Sequence, residues 1–98
     1  MLEESLAEDP ADTFVRYGLA LQCLRDGDVE EGRVRLRSLI ADHPGDQIAA
    51  YQQLGQSYAE SGEIEAAAEV LRAGVSRAMA AGDEHAAAEM QHVLESLA

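Results

Sequence analysis

At 98 residues the chain can hold one domain, and folding should remove roughly 65% of its surface from water. Ala, Leu, Glu, Gln and Arg dominate, with two Pro, three Tyr, one Phe and no Trp; these helix-permissive residues predict an all-α fold whose thin core relies on close helix contacts. The net charge of −12, from 19 acids against 7 bases that are all Arg, argues against nucleic acid and anionic membranes as partners.

Taken in order, residues 1–9 place Leu2 and Leu6 four apart before Asp9-Pro10, like the last turns of a helix closed by proline. Either an N-terminal arm or the remnant of a preceding unit has this form, and the sequence leaves both open. Met1-Leu2-Glu3-Glu4 lacks the basic start and apolar run of a signal peptide, and no apolar stretch has the length to span a bilayer. The expectation is a cytoplasmic protein.

The first helix is expected over Asp12–Arg25, with Asp12 or Thr13 as N-cap. Leu19, Ala20 and Cys23 form its packing stripe, and Phe14, Tyr17, Leu21 and Leu24 make the remainder apolar too. Cys23 is alone, so it forms no internal disulfide and reads as a small buried hydrophobe. Asp26-Gly27-Asp28 turns the chain into a second helix, Val29–Asp42, with Gly32, Leu36 and Leu39 on one face. Arg33, Arg35 and Arg37 alternate along it and so form no single patch; pairing with Glu30, Glu31 and other acids is expected, worth under about 1 kcal/mol each if exposed.

Pro44-Gly45 ends that helix. A third follows over Asp46–Glu60, in which Tyr51, Leu54, Gly55 and Tyr58 share one stripe. Gly55 costs about 1 kcal/mol against Ala, so close approach of the next helix must compensate, with Ala66, Ala67 and Ala68 as a thin facing surface. Ser61-Gly62 leads to a fourth helix, Glu63–Ala80. Ala81-Gly82-Asp83 then breaks the chain before a fifth, Glu84–Leu97, with Asp83 as N-cap and Ala87, Met90, Leu94 and Leu97 on one face. Pro10 and Pro44 stand 34 residues apart, and Gly27 and Gly62 stand 35 apart.

Residues 51–58 read aromatic-x-x-Leu-Gly-x-x-Tyr, followed by small Ala67 and large Leu71. This pattern and period resemble the tetratricopeptide repeat. Arg16, Leu19, Ala20 and Cys23 occupy the matching places 35 residues earlier, although Arg16 and Cys23 depart from the family's aromatics. The resemblance implies two antiparallel helix-turn-helix hairpins (residues 10–44 and 45–80), a capping helix (83–97) and a right-handed α-α superhelix. It further implies a protein–protein interaction module whose first helices line a concave groove for a peptide or partner protein. Carried over residue by residue, that face comprises Phe14, Tyr17, Leu21, Leu24 and Arg25, then Gln52, Gln53, Gln56 and Glu60, then His85, Glu89 and His92. The Gln amides offer both donors and acceptors to a peptide backbone. Tyr17, Leu21, Gln53 and Glu89 stand where some members of the family carry Lys, Asn and Arg to clamp a carboxylate, so neither that clamp nor an acidic peptide is expected.

Two readings of Phe14, Tyr17, Leu21 and Leu24 stay open. They form an apolar surface for a peptide or a second copy of the chain, giving a homo-oligomer, or residues 1–9 or a missing repeat cover them. His85, Glu89 and His92, at i, i+4 and i+7, are the one arrangement with metal-ligand spacing, but Glu89-x-x-His92 occurs once where di-iron bundles need two such motifs; no metal or cofactor is expected. No phosphate loop or nucleophile elbow occurs, so no enzymatic activity is expected.

The Lys-free, acid-rich composition resembles that of proteins from salt-accumulating halophiles. On that basis the melting temperature should rise from low to molar KCl; a melt that ignores or falls with salt removes the inference.

Overall fold

The computed structural model describes residues 10–97, with side chains from Asp12 onward. Five helices and no strands occupy this span: α1 (Pro10–Arg25), α2 (Val29–Asp42), α3 (Ile48–Glu60), α4 (Ile64–Ala80) and α5 (Glu84–Leu97). The expected all-α architecture is therefore present, and α2 and α5 have the expected bounds. Helix α1 starts at Pro10 rather than at an Asp12 or Thr13 cap, since proline suits the first helical turn, where its missing N–H is not needed. Helix α3 starts two residues late because Asp46 stays in the preceding turn, its N–H donating to His43 O at 3.4 Å. The properties expected of residues 1–9 lie outside the described residues.

One turn is used three times. Gly27, Gly62 and Gly82 take φ of +89°, +78° and +76°, the left-handed region where a side chain would strain the backbone. The N–H of the residue after each glycine reaches back over the helix end: Asp28 to Cys23 O at 2.9 Å, Glu63 to Tyr58 O at 2.9 Å, and Asp83 to Ala78 O at 2.8 Å. These 6→1 bonds satisfy carbonyls left open by the helix ends. Helix α5 thus folds back on α4 through the turn that joins α1 to α2 and α3 to α4. Asp83 caps α5 as expected, its Oδ1 accepting the Ala86 N–H at 3.1 Å.

Glycine notches set the helix spacing. A Cβ on Gly55 would lie 2.5 Å from Leu71 Cδ2, and one on Gly32 would lie 2.7 Å from Leu24 Cδ2. Gly74 plays the same part between α4 and its two neighbours, with Met90 Sδ at 2.5 Å and Tyr51 Cβ at 2.9 Å from the Cβ position. The close approach expected at Gly55 is present, but its occupant is the branched side chain of Leu71 rather than a bare alanine surface. Leu36, Leu39, Ala50, Leu54 and Ala67 join Ala20 in one buried cluster, and Leu71, Ala78, Ala87 and Met90 join Tyr51 in a second. Leu97 touches both, so α5 spans the seam.

The expected stripe of α1 is only partly right. Ala20 is fully buried, but Leu19 is 48% exposed where its counterpart Leu54 is 2% exposed. Helix α2 covers that face of α3, whereas no described helix precedes α1. Tyr17 and Leu24, assigned from sequence to the open face, instead pack partly into the first cluster, and Cys23 is half-buried.

Arg33 makes the expected pair with Glu30, at 3.4 Å, but from a buried position rather than from the surface. Its side chain is 5% exposed, and its guanidinium binds Ser57 Oγ at 2.9 Å, Ser57 O at 3.0 Å, Ser61 Oγ at 2.8 Å and Glu63 Oε2 at 3.0 Å. It also lies 4.4 Å from the centroid of the Tyr58 ring, a favourable cation–π distance. Helix α2 is thereby tied to the end of α3 and the turn into α4. Arg37 donates to the Tyr58 hydroxyl, while Arg35 makes the expected surface pair with Glu31 at 3.0 Å.

Candidate functional site

Helices α1 and α3 enclose an open cavity of about 260 Å³ near their C-terminal ends. Leu24 and Arg25 reach it from the last turn of α1, and Gln53, Gln56 and Glu60 from α3, where residues three and four apart share a face. Val29, Ser57 and Ser61 complete the lining. The cavity therefore gathers five of the residues expected from sequence on the partner-binding face.

The amides there are not idle. Gln53 shares a hydrogen bond with Tyr17, linking α3 to α1; burial raises the Tyr17 hydroxyl pKa above its ordinary value, and that bond acts in the opposite direction. Gln52 Nε2 donates to Glu89 Oε1 at 2.8 Å, linking α3 to α5, and Gln56 Nε2 donates to Glu60 Oε2 at 3.5 Å. Gln52 and Gln53 thus bridge the chain's own helices while Gln56 is engaged within α3, and a partner would exchange with those bonds.

The remaining expected site residues are dispersed. Phe14 is 77% exposed and Leu21 half-buried, and neither lines the cavity. His85 Nε2 lies 3.1 Å from Glu89 Oε2, so His85, Glu89 and Gln52 form a separate surface cluster. His92 is exposed, and among the described residues no three His, Cys, Asp or Glu side chains converge on a metal position.

Sequence reasoning missed a second cleft of about 280 Å³ between α2 and α4. Tyr51 and Leu54 contribute to its lining, Ile40 and Val70 are among its walls, and Arg37 and Glu69 stand on opposite helices. The signal for it was the small Ala41, Ala66 and Ala73, which leave the space between the two helices open.

No helix among the described residues is long and apolar enough to cross a membrane. No family model matches the chain, and no curated protein matches it in sequence. Solved structures do match. The solution NMR structure of a tetratricopeptide repeat domain protein from Salinibacter ruber superposes with a TM-score of 0.82 at 24% identity, covering 92% of this chain and 90% of that one. A crystal structure of a tetratricopeptide repeat domain protein from the same organism gives 0.79 at 22% identity, covering 88% and 96%. With five helices, glycine-notched packing and these superpositions together, the chain has the fold of a tetratricopeptide repeat domain.

Proposed function

We propose that this domain is a non-catalytic protein-interaction module, built of two repeats (10–44 and 45–80) and a closing helix (83–97), which holds a partner's peptide segment along α1, α3 and α5. The observation carrying the reading is the cavity between α1 and α3, where Leu24, Arg25, Gln53, Gln56 and Glu60 meet. Apolar burial against Leu24 and Val29 supplies affinity, and the Gln amides supply donors and acceptors for an extended backbone. Peptides selected from a random library on the immobilised domain should shift the backbone NMR signals of Arg25, Gln53, Gln56 and Glu60. Shifts confined to Ala41, Ala66 and Ala73 would move binding to the other cleft and overturn the proposal.

A second reading, self-association, is favoured by exposed apolar residues of the first hairpin: Val15 (54%) and Leu19 (48%) share one face of α1, and Phe14 (77%) and Val34 (56%) are exposed on the same hairpin. Exposed apolar residues gathered in one region mark interaction surfaces. Sedimentation should then show a dimer that Leu19→Glu dissociates without loss of helicity; monomer alone at high concentration removes this reading.

A further inference from the structure

The cavity between α1 and α3, at about 260 Å³, is smaller than the roughly 300–1,000 Å³ of sites for drug-sized ligands, so it suits one or two side chains of a longer segment. Leu24 and Val29 give it an apolar wall, and Glu60 is an acidic group in its lining. Among the described residues Glu60 has no ion pair, only the 3.5 Å bond from Gln56. Of the other arginines, Arg16 pairs with Asp42, Arg33 with Glu63, Arg35 with Glu31, and Arg37 lies over Tyr58, while Arg72 and Arg77 stand on α4, outside the lining. Arg25, the cation in the lining, is bonded to Gln22 at 3.0 Å. The last residues of α1 and α3 both line the cavity, and helix C-termini carry partial negative charge. The net charge of −12 adds a long-range attraction for cations.

Resting on the reading of this groove as the binding site, we infer that the partner segment is a basic peptide, in which an apolar side chain enters against Leu24 and Val29 while a neighbouring Arg or Lys pairs with Glu60. The apolar contact sets position, and the charges set partner choice and the rate of encounter.

Two short synthetic peptides test this by calorimetry, one alternating arginine and leucine, the other glutamate and leucine. The arginine–leucine peptide should bind, more weakly as salt is raised, and the glutamate–leucine peptide should not. Glu60→Gln should weaken binding by about three- to tenfold. Glu69→Gln, which removes the same charge from the cleft between α2 and α4, should change it by less than about twofold. Val29→Glu adds an acid where the start of α2 tolerates one but removes the apolar wall, so it should weaken binding, whereas general attraction to an acidic surface would strengthen it. No binding of the arginine–leucine peptide, or equal losses at Glu60 and Glu69, overturns the basic partner. Binding of the glutamate–leucine peptide that Val29→Glu weakens overturns only the basic class. Binding that Val29→Glu leaves unchanged or strengthens overturns the groove itself.

Discussion

Gly55→Val should destabilise the domain by about 3 kcal/mol, a fall in Tm of roughly 12–24 °C for a chain of this size. The position is buried in mid-helix, and a Cβ there would meet Leu71 Cδ2 at 2.5 Å and Leu71 Cγ at 2.6 Å. Leu71 is itself fully buried, and close-packed surroundings leave it little room to rotate away. Added methyl groups must therefore push α4 from α3, disturbing both core clusters. The small gain in helix propensity does not offset this. Gly18 is the internal comparison: it is exposed, with nothing within 4 Å of its Cβ position, so Gly18→Ala should stabilise by up to about 1 kcal/mol. Thermal melts of the two variants moving in the same direction would falsify the notch as the feature that sets helix spacing.

Arg33→Ala should cost about 3 kcal/mol, because it strips the hydrogen-bond donors from buried Ser57 and empties the packed site of a nearly buried side chain. Ser57 loses two bonds at once, one to its hydroxyl and one to its carbonyl. Arg33→Lys should recover little, since an ammonium cannot reproduce the planar fork that reaches Ser57, Ser61 and Glu63 together. The ion pairs themselves contribute less, because Glu63 is 50% and Glu30 87% exposed and solvent screens both. Glu30→Gln should accordingly shift stability by under about 0.5 kcal/mol. Denaturant melts decide the matter: an Arg33→Lys variant as stable as the parent would mean that charge rather than geometry matters here.

The helices were legible because their punctuation is local. Gly27 and Gly82 stop α1 and α4 within a residue or two of where the apolar periodicity ends, and Gly55 marked a close approach before its neighbour was known. Arg33 was not legible. It sits among Arg35 and Arg37 in identical alternation, and what buries it is Ser57, Ser61 and Glu63, 24 to 30 residues away. The outer face of α1 misled for a related reason: Leu19 and Leu54 occupy equivalent places, but α2 covers Leu54 and no described helix covers Leu19. The groove was half legible. Spacing alone put Gln53, Gln56 and Glu60 on one side of α3, while their bridges to Tyr17 and within α3 depend on how the helices meet.

The thrice-used glycine reversal bears on how the molecule comes apart. Each helix packs chiefly on the helices beside it in sequence, with α5 reaching one step further to α3, so no distant pieces of chain must find each other first. Such local wiring predicts rapid folding and a molecule that unzips from its ends, the outer helices exchanging their amide protons before α3 does.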